Sequence, residues 1–132
     1  MDAFPLRLTP GCDLRAALDS ALAAHSCKAA FVVSGIGSLR QARLRLAGAK
    51  EAAELNGELE ILTLSGTIAG NGSHLHMSVA DAGGRVTGGH VMPGCVVRTT
   101  VEVLLMLLPE WSFSREPDAA TGYAELVVKP HK

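Results

Sequence analysis

The chain has 132 residues, 12 Lys and Arg against 13 Asp and Glu, a net charge of −1, and 48% hydrophobic content. That length suits a single domain over residues 1–132, able to bury roughly two-thirds of the surface its unfolded chain exposes. Balanced charge counts against a free-standing nucleic-acid binder, which carries a basic excess. The few aromatics (Phe4, Phe31, Trp111, Phe113 and Tyr123) count against stacking on several bases.

Leu6–Leu8 reads as a short strand and Thr9-Pro10-Gly11 as a turn. Asp13 stands where a helix N-cap is expected, and Leu14, Leu18, Ala21 and Leu22 recur on one face of a helix from Leu14 to about His25. Ala30–Ser34 is a β-rich run that Gly35-Ile36-Gly37 is expected to stop, with a second strand marked by Ala42, Leu44 and Leu46 alternating with Arg43 and Arg45. Lys50–Gly57 reads as a loop or one helical turn, and Leu59–Ile68 as a strand broken at Gly66. Asn71-Gly72 is a turn, and His74–Ala80 and Arg85–Met92 form a hairpin around Asp81-Ala82-Gly83-Gly84. Val96–Leu108 is rich in β-branched residues and reads as a strand. Shorter strands follow at Trp111–Arg115 and Tyr123–Val128. The expected class is α+β: mostly antiparallel sheet with one main helix.

Met1-Asp2-Ala3-Phe4-Pro5 has no basic start before an apolar run, and the longest apolar stretch, Val103–Pro109, is too short to span a bilayer. Cys12, Cys27 and Cys95 form no C-x-x-C pair. A reduced, cytoplasmic setting without membrane attachment is the expectation.

The chemistry concentrates in the histidines. His74 and His76 share one strand face, while Leu75 and Met77 point the other way. If Asp81 faces Arg85 across a three-residue loop, His76 faces His90 on that same side. A two- or four-residue loop would turn His90 away. Three imidazoles meeting at a point match an open zinc site of three protein ligands plus water. The same spacing also suits two solvated strand histidines and a hydrogen-bonded core histidine. Gly88 and Gly89 are expected to leave room beside the site. Glu102, the one acid inside Val96–Leu108, is the leading candidate for a catalytic general acid–base, with Glu60 and Glu125 behind it. Arg115 can pair with an anionic ligand or with Asp118. Arg43 and Arg45 read as a solvated strand face. Gly35-Ile36-Gly37-Ser38 lacks the nucleotide-binding glycine pattern, and no serine sits in a nucleophile elbow.

These pieces together resemble the plant and prokaryote conserved (PPC) domain in its stand-alone prokaryotic form. The resemblance runs nearly end to end: Leu8-Thr9-Pro10-Gly11-Cys12-Asp13-Leu14, Gly35-Ile36-Gly37-Ser38-Leu39, Glu60-Ile61-Leu62-Thr63-Leu64-Ser65-Gly66-Thr67, His74-Leu75-His76, Gly88-Gly89-His90, then Arg115, Asp118 and Thr121-Gly122-Tyr123-Ala124-Glu125-Leu126. Cys12 departs from the family, which often has an acid there. The resemblance implies a central antiparallel sheet assembled as a homotrimer. It is also similar in fold to acetolactate decarboxylase and to a zinc-dependent ester hydrolase, both of which use three histidines on zinc. By motif, His74, His76 and His90 are then the ligands of a metal, zinc first among the transition metals. Plant members place the domain behind an AT-hook, and prokaryotic members are described as DNA-binding by that association. No Arg-Gly-Arg-Pro segment is present in this sequence. Two roles follow from the resemblance: a metal-binding regulatory module with DNA or a DNA-binding partner, or a small zinc hydrolase or lyase acting on a carbonyl or carboxylate ligand.

Overall fold

The computed structural model describes residues 1–132. In chain order the elements are β1 (Asp2–Leu8), α1 (Leu14–Ala24), β2 (Ala29–Arg45), β3 (Ala53–Ala69), β4 (Gly72–Ala80), β5 (Val86–Val91), β6 (Val96–Leu107), β7 (Trp111–Pro117) and β8 (Ala124–Pro130). One six-stranded antiparallel sheet runs β1-β6-β2-β3-β4-β5, and β7 and β8 form a separate hairpin. The α+β expectation, one helix and a dominant antiparallel sheet, holds.

Helix α1 begins where Asp13 caps it. One carboxylate oxygen accepts from the Ala16 N–H at 3.0 Å, and the other accepts from the Gly94 N–H at 2.7 Å. Leu14, Leu18 and Leu22 are buried and seat the helix on the sheet. At about 1.5–3 kcal/mol for each buried leucine, this face rather than helix propensity holds α1 in place.

The two longest strands differ from expectation. Gly35-Ile36-Gly37 does not stop a strand, and Gly66 does not break one: β2 and β3 each run 17 residues straight through them. Lys50–Gly57 is not a helical turn, since β3 already begins at Ala53. The glycines sit where strands cross too closely for a side chain. A Cβ on Gly37 would lie 2.7 Å from the Val101 Cα, and one on Gly66 would lie 2.8 Å from the Leu75 Cα. Register shifts along β2 against both β3 and β6 let it bend, as bulges do. The bend carries its far end onto β5, pairing Leu44 with Val91 and Arg45 with His90.

A core of 23 buried residues lies between α1 and the sheet. A smaller cluster of Ala29, Ala69 and Phe113, with Leu108 and Leu126 against it, fastens the β7–β8 hairpin to the main sheet. Cys95 is buried and Cys12 and Cys27 are half-buried, all three as free thiols. No helix is long and apolar enough to cross a membrane.

Candidate metal centre

Strand β4 alternates strictly. Leu75, Met77 and Val79 enter the core, which leaves His74 and His76 on the opposite face. The β4–β5 turn is set by Asp81. Its side chain accepts from the N–H groups of Gly83 and Arg85, and its own N–H donates to the Arg85 carbonyl. Asp81 thus faces Arg85, and the ladder continues to His76 opposite His90, the register that the loop length requires.

The three rings converge. His74 Nε2 lies 3.1 Å from His76 Nε2, and one ligand atom from each of His74, His76 and His90 falls within 4.8 Å of the others. Tetrahedral zinc with Zn–N of 2.0–2.1 Å needs its nitrogens about 3.3 Å apart. The first pair lies close to that spacing, and the whole set falls within 4.8 Å. Protonation also favours coordination, because a metal binds neutral imidazole. Burial, followed by the positive surroundings of His74 and Arg45, pushes His90 down to about 4. His74 is lowered first by burial and next by the charge of Arg115. The donor set therefore fits a borderline transition metal.

The description of the Plants and Prokaryotes Conserved (PCC) domain matches residues 1–109, most of the chain and all three histidines. The chain belongs to the PCC domain family. It is 50% identical over 127 residues to the bifunctional protein GlmU of Synechococcus sp. (strain JA-2-3B'a(2-13)), a match covering 96% of this chain and 20% of that protein. It therefore spans about a fifth of the length of the curated relatives it matches. A hypothetical protein from Salmonella enterica has the same fold at a TM-score of 0.95 and 39% identity, over 99% of this chain and 95% of that one. A metal-containing protein from Archaeoglobus fulgidus superposes at 0.79 with 28% identity, over 96% and 94% of the two chains.

In this PCC domain the histidines form part of the lining of a cleft of about 920 Å³. The other predicted residues distribute unevenly around it. Glu102 is exposed on β6, paired between Arg7 and Ile36, and does not line the cleft. Glu60, on β3 opposite Ala80, is also outside it. Glu125 is the one acidic residue in the lining. Arg115 lines the cleft and makes no ion pair with Asp118. Arg45 is not a solvated strand residue, because its pairing with His90 brings it to the cleft. Gly89 is required by strand packing: a Cβ there would come within 2.9 Å of the Arg45 carbonyl oxygen. Gly72 faces open space. The sequence reading missed Arg15 and Lys50, which also line the cleft. Only knowledge of how α1 and the β2–β3 loop fold over β5 would have placed them.

Proposed function

We propose that residues 1–132 act as one PCC-type unit, a homotrimeric metal-binding module that holds zinc on His74, His76 and His90 and presents the open metal position to a small ligand. The observation that carries this reading is the convergence of three imidazole nitrogens within 4.8 Å. The metal-containing description of the Archaeoglobus relative supports it. The match to a fifth of a longer bifunctional protein suits an accessory, regulatory module. Phe31, Val33, Ile36 and Leu62 are exposed on β2 and β3, an apolar surface that suits self-association. Three free cysteines suit a reducing, cytoplasmic setting.

When bound, zinc would acidify its water or polarise a carbonyl oxygen. The residues around it do the rest: His74, His76 and His90 converge their ring nitrogens on one point, and Glu125 is the carboxylate in the cleft. That single acid is what favours the second reading, a small hydrolase or lyase. As for DNA, the net charge of −1 supplies no basic excess for the phosphate backbone.

The deciding experiment is metal analysis of purified protein beside a His76→Ala variant. We expect near one metal per chain in the first and a large loss in the second; equal contents would refute the site. A chelator-controlled esterase and decarboxylase screen tests the second reading. Activity that persists without metal and without His90 would belong to some other chemistry. Duplex DNA titration at low and physiological salt tests a direct DNA role, which the absence of salt-sensitive binding would remove.

A further inference from the structure

The cleft inverts the charge of the chain. Four cations line it, Arg15, Arg45, Lys50 and Arg115, against one carboxylate, Glu125, while the whole chain carries −1. None of the four makes a direct ion pair, the one in this structure being Arg98–Glu58 outside the cleft, although Glu125 acts on Arg115 and Asp19 on Arg15 at longer range. Unpaired positive charge gathered in a concave site focuses the field toward an incoming anion.

Arg115 is the most firmly built of the four. Its backbone N–H donates to Asn71 Oδ1 at 2.7 Å, and Asn71 Nδ2 donates to the Arg115 carbonyl at 2.9 Å, fixing β7 to the β3–β4 turn. Its Nη2 donates to Thr67 Oγ1 at 2.7 Å, which fixes the guanidinium itself. The Nε–H is buried without an acceptor. A buried donor left unpaired is costly and uncommon in a finished fold, and guanidinium geometry matches the paired oxygens of a carboxylate or phosphate. Thr67 pairs directly with His74 across β3 and β4, so the anchored guanidinium stands beside the histidine cluster.

We propose that the cleft is a selective site for a small oxyanion, a carboxylate or phosphate head group seated on Arg115, whose neighbouring oxygen faces His74, His76 and His90. Arg45 and Arg15 add attraction at longer range. The cleft volume suits a small molecule rather than a polymer. The proposal rests on the metal-centre reading only for the second oxygen; the hold of Arg115 on the anion needs no metal.

The test is calorimetric titration of metal-free and zinc-loaded protein, each with inorganic phosphate and with malonate, on wild type, Arg115→Gln and Arg45→Gln. We expect one anion per chain, weakened about 10- to 100-fold by R115Q and less by R45Q, with zinc content unchanged. The tighter of the two anions identifies the head group. If R115Q melts early, Thr67→Val, which frees the guanidinium and keeps its charge, should still weaken binding. Equal affinity in wild type and R115Q, or no binding of either anion to the wild type, would overturn the proposal. Arg115-dependent binding in a protein that takes up no zinc would sink the metal reading alone.

Discussion

Replacing Gly66 by alanine isolates the cost of the close strand crossing that shapes the metal centre. Gly66 has φ of +149°, and Gly72, six residues on, has φ of +143°. Alanine is strained by the same backbone at both sites, by about 1–3 kcal/mol. Their surroundings differ. At Gly72 a Cβ meets nothing within 4 Å, whereas at Gly66 it falls against the His74 carbonyl oxygen and 2.8 Å from the Leu75 Cα. Those are backbone atoms, so no rotamer change relieves the clash and β4 itself must shift. Overpacking of this kind adds about 1–3 kcal/mol. Gly66→Ala should therefore be less stable than Gly72→Ala by that margin, a difference of about 3–15 °C in Tm for a domain of this size. Urea melts of both variants measure it, provided the slopes agree. The moved strand carries His74, so Gly66→Ala should also lose zinc affinity. Equal midpoints for the two variants would show that backbone strain alone sets the cost, and the crowding argument would fail.

Other outcomes follow from the same structure. His90 takes its proton near pH 4 when folded and near 6.5 when unfolded, so the unfolded chain gains the proton first as pH falls. Metal-free protein should therefore lose stability between about pH 6.5 and 4, more steeply than a His90→Gln variant; parallel Tm profiles would contradict the burial of His90. Asp13→Ala removes both the helix cap and the acceptor of Gly94, and should cost about 1–3 kcal/mol in chemical denaturation. A loss within a few tenths would mean that water replaces both bonds. Zinc at 100 times its Kd should stabilise the protein by about 2.7 kcal/mol, and a chelator should reverse the shift. A zinc-induced rise in Tm that His76→Ala retains would place the metal elsewhere.

The most legible parts of this protein were those governed by local rules. The cap at Asp13, the spacing of Leu14, Leu18 and Leu22, and the Asp81 turn each act within a few residues, and parity then carried the turn geometry to His76 and His90. The illegible parts depend on distant neighbours. Glycine inside β2 and β3 looked like punctuation because its cause, a strand crossing at Val101 or Leu75, lies far along the chain. Glu102 stood out by local contrast, yet β6 turns it away from the cleft, and Glu125 enters because the β7–β8 hairpin folds back over β3. The place of Arg45 followed from the bend of β2, which periodicity does not reveal.

His74, His76 and His90 stand on β4 and β5 of the main sheet, whereas Arg115 and Glu125 belong to the separate β7–β8 hairpin. Within one cleft, the imidazoles come from the six-stranded sheet and part of the charged wall from a separate pair of strands fastened to it through Phe113. Changes in that hairpin can alter what the cleft admits while β4 and β5 keep their register. Selection can thus retune the wall and leave the reactive centre as it was.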